Sequence, residues 1–215
     1  MVIVMPSGPV MPSGPLIMVA YFVFFAAVHS ILADSAAKSM ARRAITSSDR
    51  WYRLAYVLLA TIMVLPFFYI LLFFPDSTLY VVPSPWRWLM TAGQALAALA
   101  LLGALRQTGI SYFFGLAQIS GKREEEGGLV TDGFYCHLRN PLFFFGALFL
   151  WLFPTMTANL LTFNLLATLY FYVGALHEER SLLKEFGDEY EEYRRKVPMF
   201  IPRLRCRQPI HSQEG

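Results

Sequence analysis

Four apolar blocks constrain this chain more than any other feature. A helix needs about 20 largely apolar residues to cross the hydrocarbon of a bilayer. Pro15–Ala33, Tyr52–Phe74, Trp86–Leu105 and Asn159–Leu176 meet or approach that length. With 56% hydrophobic and 15% charged residues, the composition excludes an ordinary soluble domain. A fifth block, Pro141–Phe153, has only 13 residues and as a helix reaches roughly 20 Å. It reads as the first arm of a helical hairpin, turned by Pro154-Thr155-Met156-Thr157. No strand pattern stands out. The expected fold is an all-α integral membrane protein with five transmembrane helices, the last two forming the hairpin, followed by a cytoplasmic amphipathic C-terminal helix.

The basic residues predict an orientation. Residues 1–37 contain no Lys or Arg, whereas the next connection holds Lys38, Arg42, Arg43, Arg50 and Arg53. Pro75–Pro85 has none, the connection after the third block holds Arg106, Lys122, Arg123 and Arg139, and the tail is rich in them. Under the positive-inside rule this alternation puts the N-terminus outside and the C-terminus inside. The net charge of +3 then belongs to the cytoplasmic face and calls for no nucleic-acid partner. Cys136 and Cys206 both fall on that side, where a structural disulfide is not expected. His29, His137, His177 and His211 are scattered and offer no metal-ligand spacing.

Residues 1–15, with the tandem VMPSGP repeat, read as a disordered leader, because Pro and Gly at this density oppose a helix before about Leu16. The missing basic n-region argues against a cleaved signal peptide. Residues 16–202 form one membrane domain and 203–215 a basic tail. Pro66 falls inside the second block and predicts a kink whose freed carbonyl neighbouring helices satisfy. Beyond the last block, Leu182, Leu183, Phe186, Tyr190, Tyr193 and Val197 recur at three- and four-residue steps. Gly187 interrupts that stripe, and Asp188 with Glu191 offers a capping box to restart it.

Polar residues crowd both ends of the hairpin, where charge is costly unless it is paired or used. Glu178 and Glu179 follow the last block directly, and adjacent residues cannot share a helix face, so they must meet different partners. Arg139, just before Pro141, is the obvious partner for one of them. The pair either closes the hairpin as an interfacial ion pair or orients a polar ligand. His29, near the cytoplasmic end of the first block, is either a buried hydrogen-bonding group or a general base. His177 abuts the carboxylates and is the second candidate. No phosphate-binding loop is present, since Gly127-Gly128 is too short for one and follows no strand.

One run of residues carries a resemblance. It comprises Leu129-Val130, Gly133, Tyr135, Arg139-Asn140-Pro141, Phe144 and Gly146 and, after the hairpin, Glu178-Glu179, Leu182, Phe186-Gly187, Tyr190, Tyr193, Val197-Pro198 and Ile201-Pro202. It resembles the signature of the isoprenylcysteine carboxyl methyltransferase superfamily of integral membrane methyltransferases. Phe114-Gly115-Leu116, Gln118, Pro154-Thr155-Met156-Thr157, Glu178-Glu179-Arg180 and His29-Ser30 are similar to the bacterial methanethiol S-methyltransferase and denitrification-associated branch. Two positions depart from the superfamily pattern: Asn140 stands where it has His, and Phe144 where it has Tyr.

The resemblance implies S-adenosyl-L-methionine as cofactor, held at the cytoplasmic ends of the last spans in a bacterial inner membrane. Leu129 and Val130 would lie along the adenine, while Tyr135, Arg139, Asn140, Glu178, Glu179 and Tyr190 would hold the ribose and amino-acid parts. A small or lipid-like substrate would enter from the bilayer. For a thiol acceptor, a base is needed because the thiolate is the attacking form. His29, Arg139 and Glu179 are then the catalytic candidates. Three readings of function follow: methylation of a small or lipophilic thiol, carboxyl methylation of an isoprenylcysteine-like or lipid substrate, and a non-enzymatic membrane partner keeping the fold.

Overall fold

A computed structural model describes residues 13–33, 49–109 and 128–206, with the side chains of 49–54 left out. Residues 1–12, with all of the VMPSGP repeat but its final Ser13-Gly14-Pro15, and Lys38, Arg42, Arg43, Phe114–Gln118, Lys122, Arg123 and His211 lie outside the described residues. Six α-helices and two short strands are seen in this part of the chain. They are α1 (Ser13–Ala33), α2 (Asp49–Phe73), β1 (Thr78–Val81), α3 (Trp86–Thr108), α4 (Pro141–Trp151), β2 (Thr155–Thr157), α5 (Ala158–Phe186) and α6 (Asp188–Lys196). A 3-10 turn, Gly133–Cys136, precedes α4.

Four helices are long and apolar enough to cross a membrane: α1, α3, α5 and the Ala55–Phe73 part of α2. Their outward faces carry large apolar side chains such as Leu16, Val23, Leu72, Phe73, Leu96 and Leu99. Such a band suits lipid, not water. The fifth apolar helix, α4, has 11 residues and spans only roughly 16 Å. It packs between α3 and α5, and α5 in turn touches α1 and α2. Met18, Phe25, Phe67 and Ile70 are buried where α1, α2 and α5 meet, with Phe163, Leu166 and Tyr170 of α5 packed against them.

Several expectations are corrected. Helix α1 begins at Ser13, earlier than Leu16, because a proline in the first turn gives up an amide that has no helical partner anyway. Pro66 lies inside α2, as the sequence places it. The fold is not purely helical, since the 154–157 turn contains β2, paired antiparallel with β1 through Thr78/Thr157, Tyr80/Met156 and Val81/Thr155. Val82 N–H bonds Pro154 O at 2.8 Å and Ala158 N–H bonds Ser77 O at 2.9 Å, extending the ladder at both ends. Backbone groups released where helices stop need partners, and the two connections supply them to each other.

Helix α5 runs 29 residues, roughly 43 Å, well beyond a hydrocarbon core of about 30 Å. The apolar block ends at Leu176, but the helix continues unbroken through Glu178 and Glu179 to Phe186. It ends at Gly187, whose φ of 52° is one that L side chains rarely adopt. The capping box is not formed: no side chain caps α6, although Asp188, Glu189 and Glu191 occupy its first turn and favour its dipole.

The cysteine expectation is also overturned, since Cys136 and Cys206 are disulfide-bonded with Cα atoms 5.3 Å apart. After α6 the chain doubles back along the 3-10 turn. Arg139 N–H bonds Pro198 O at 2.9 Å and Arg203 N–H bonds His137 O at 3.0 Å, which delivers Cys206 to Cys136 within bridging range.

Candidate active site at the end of the hairpin

The site is assembled where the 3-10 turn, the start of α4, the end of α5 and α6 converge. Glu179 is its hub. Its side chain and that of Arg139 are 11% and 10% exposed, and Arg139 Nη2 lies 2.8 Å from Glu179 Oε1. The same oxygen accepts Asn140 Nδ2 at 3.2 Å. Arg139 also donates through Nη1 to Arg194 O at 2.8 Å, while its Nε is buried with no hydrogen-bond partner. Asn140 occupies the N-cap position of α4 without a side-chain capping bond, and Pro141 is the first helical residue. The departure from the superfamily's His therefore keeps a buried donor to the carboxylate, in a side chain that holds no titrating proton.

Glu178, one residue earlier on α5, points elsewhere. Among the described residues it makes no ion pair or hydrogen bond, and its charge is felt by Tyr135 and Tyr190. The adjacent carboxylates thus have different surroundings, as a 100° step per residue requires.

Tyr135 is fixed from two sides. Its hydroxyl lies 2.6 Å from Thr108 Oγ1. The Thr108 hydroxyl donates to Ala104 O at 3.1 Å, which makes Tyr135 the donor to Thr108. Tyr193 OH donates to Tyr135 O at 2.7 Å. Gly133, at φ 55°, turns the backbone so that Phe134 N–H reaches Gln107 Oε1 at 3.0 Å. Burial is the main force holding the Tyr135 phenol above its ordinary pKa, with the Thr108 bond opposing and the Glu178 charge adding. Tyr190 is pushed up to about 12, first by burial, then by Glu179, with Arg139 opposing. Tyr193 is raised by burial and its tyrosine neighbours. All three remain neutral donors near pH 7.

Leu129, Leu182 and Phe186 pack against buried Tyr190, Tyr193 and Val197, forming an apolar wall beside the charged corner. Val130 is half-buried next to Leu129. The structure therefore brings together Leu129, Tyr135, Arg139, Asn140, Glu178, Glu179 and Tyr190. It does not bring His29 to them. His29 sits among α1, α2 and α5, within hydrogen-bond distance of Tyr56 and Tyr170 hydroxyls. Tyr170 precedes Glu179 by nine residues of helix, which is roughly 14 Å and the opposite face. His177 is exposed. Among the described residues, no three His, Cys, Asp or Glu side chains converge to hold a metal ion.

Sequence reasoning missed Thr108, Gln107 and Arg203. Each is an ordinary polar residue at a helix end or in the tail, and only tertiary pairing distinguishes it. His137 carried little signal, yet its Nδ1 lies 2.6 Å from Arg203 O, tying the tail down.

This geometry has counterparts in known proteins. The chain is 32% identical over 202 residues to methanethiol S-methyltransferase 2 of Bradyrhizobium diazoefficiens, covering 89% of this chain and 74% of that protein. The chain belongs to the methanethiol S-methyltransferase family. A second member, from Mycobacterium tuberculosis, is 36% identical over 189 residues, covering 83% of this chain and 74% of its own length. The protein-S-isoprenylcysteine O-methyltransferase of Schizosaccharomyces pombe is 36% identical over 89 residues, 39% of this chain and 37% of that protein. No family model and no solved structure matches the chain. As a family member with four apolar helices of spanning length, the chain is a membrane methyltransferase.

Proposed function

We propose that this enzyme moves the methyl group of S-adenosylmethionine to a small thiol at the cytoplasmic face of a bacterial inner membrane. The observation that carries the thiol reading is the likeness, over most of the chain, to relatives named for methanethiol. The donor is the general methyl source of this superfamily.

Those residues fit the donor's chemistry. Arg139 has a buried Nε without a partner, a donor suited to the cofactor's carboxylate. Glu178, with no ion pair or hydrogen bond among the described residues, is suited to its amino group or ribose hydroxyls. Leu129, Val130 and Tyr190 offer an apolar edge for adenine. When bound, the cofactor supplies an electrophilic methyl group on a sulfonium. Glu179 holds Arg139 and Asn140 in place, while neutral Tyr135 and Tyr190 add donors without adding charge. The chain's main contribution is positioning, which alone lowers barriers of this kind by about 7–11 kcal/mol in well-aligned reactions. The acceptor enters from the bilayer, where a small apolar thiol partitions.

A second reading is carboxyl methylation of an isoprenylcysteine-like substrate, favoured by the shorter match to the Schizosaccharomyces pombe enzyme. Purified protein offered methanethiol, a long-chain thiol and a farnesyl-cysteine analogue separates the two. Turnover of methanethiol is expected. Turnover of the farnesyl analogue alone would establish the second reading, and turnover of none would refute both.

A further inference from the structure

The segment after α6 carries the most exposed large apolar side chains among the described residues. Leu204 is 98% and Ile201 80% exposed, yet the backbone around them is firmly held. Arg139 N–H bonds Pro198 O at 2.9 Å and Arg203 N–H bonds His137 O at 3.0 Å. His137 Nδ1 lies 2.6 Å from Arg203 O, and Cys206 is bonded to Cys136. Residues 198–206 are thus tied to the 136–139 region at both ends, and the fold itself sets the exposure of Ile201 and Leu204.

Phe200 shows what these side chains face. Its ring lies against Tyr172 of α5, with centroids 6.1 Å apart. Tyr172 shares a stripe with Leu165, Leu169 and Val173, each about half exposed. Steps of four, three and one residues put all four on one face of the helix. That face is part of the apolar band suited to lipid. Tyr172 also lies one turn before the apolar block ends at Leu176, so Phe200 meets α5 near the edge of the hydrocarbon. The segment therefore continues the lipid-facing surface toward the headgroups.

The charge on the segment has one sign. Within α6, Arg194 lies 3.5 Å from Glu191, and Lys196 pairs with Glu192. From Val197 to Gln213 the chain holds Arg203, Arg205 and Arg207 and no acidic residue. Arg203 and Arg205 flank Leu204, and both are exposed. Arg203 Nη1 also bonds Lys196 O, which braces the segment against α6. A leucine between two arginines suits a bilayer interface. The apolar group and the arginine stems enter the acyl boundary, while the guanidiniums stay among the phosphates. A soluble protein partner would have to work into the headgroup layer, beside a face of α5 already given to lipid.

We infer that residues 199–206 form a docking surface for anionic phospholipid, with Ile201 and Leu204 set into the interface and the arginines of the tail drawing the headgroups. The same residues hold the backbone of Arg139 and His137, so a docked segment steadies the turn that carries Tyr135 and Arg139. The surface takes lipid whatever the methyl acceptor is.

The test places the full chain in nanodiscs of neutral phosphatidylcholine with increasing fractions of phosphatidylglycerol, their acyl chains brominated near the headgroup. Leu204→Trp reports the depth of position 204, read as the difference from the parent with its own four tryptophans. Leu204 is almost fully exposed, so the substitution should leave the fold intact; Ile201→Trp serves as a second probe. Emission at both positions should shift to the blue and be quenched as phosphatidylglycerol is added. R205Q/R207Q in the probe background should raise the phosphatidylglycerol fraction at half-maximal quenching several-fold, because each cation near an anionic surface is worth roughly fivefold in the equilibrium. Salt at about 0.5 M, where screening acts over about 4 Å, should do the same. Equal quenching in neutral and anionic discs, or an unmoved midpoint in R205Q/R207Q, would overturn the anionic partner. Red, unquenched emission from both probes in every disc would overturn the docking surface itself.

Discussion

Breaking the Arg139–Glu179 pair should cost far more than replacing it. Both side chains are about one-tenth exposed and joined at 2.8 Å, so solvent screens them little. Arg139→Met leaves the Glu179 carboxylate buried with Asn140 as its remaining donor, and it also strands Arg194 O. Removing one partner of such a pair typically costs about 3–5 kcal/mol. Glu179→Leu strands the guanidinium in the same way. The double variant R139M/E179L buries two apolar side chains and leaves no unpaired charge, so it should lose much less than the sum of the two single variants. Unfolding in detergent, followed for all four proteins by fluorescence against denaturant, gives the coupling directly. We expect a coupling energy of at least about 2 kcal/mol, within the range of contacting pairs. Additivity within about 0.5 kcal/mol would refute the argument, because it would mean the two groups are solvated or separately satisfied.

Other outcomes follow from the same contacts. The Cys136–Cys206 bridge closes a sequence separation of 70 residues, for which chain entropy gives about 4 kcal/mol, with 2–4 typical in practice; Cys206→Ser should lower the unfolding midpoint, and an unchanged midpoint would contradict a bonded tail. Tyr190 has a folded pKa raised to about 12 above an ordinary value near 10. Its stabilising contribution is complete below pH 10 and is lost as pH rises toward 12. Tyr190→Phe should flatten that part of the stability–pH curve, and an identical curve would contradict the buried phenol. Cysteine-accessibility labelling at Ser77, Glu125 and Ser212 should mark Ser77 from one side of the membrane and the other two from the opposite side. Labelling of Ser77 and Glu125 from the same side would overturn the N-out, C-in topology.

Much of this was legible in the sequence, for physical reasons that differ by element. Long apolar blocks declare themselves because hydrocarbon leaves the backbone no other option, so α1, α2, α3 and α5 were visible from composition alone. The Arg139–Glu179 contact could be anticipated because a hairpin returns both its ends to one side and a buried charge must find a partner. The β1–β2 ladder was not visible. Thr155-Met156-Thr157 is too short to show alternation, and its partner lies across the chain. The disulfide is not visible in the sequence, because the approach of its two cysteines depends on the Arg139–Pro198 and Arg203–His137 bonds, which neither residue spacing nor compartment reveals. His29 was noticed as an ionisable residue in an apolar block, but its placement between two tyrosines from other helices is a purely tertiary fact.

The central claim is that the corner built on Glu179 and Arg139 holds the methyl donor, and Glu178 tests it most directly. That carboxylate has no ion pair or hydrogen bond among the described residues, so Glu178→Gln should leave stability intact and alter only what binds. Calorimetric titration of S-adenosylmethionine into the purified protein should show saturable binding. The same titration into Glu178→Gln should show it weakened roughly ten- to a hundredfold, the value of one charged contact at about 1.5–3 kcal/mol. Equal affinity in parent and variant, or no binding by the folded parent, would contradict the account.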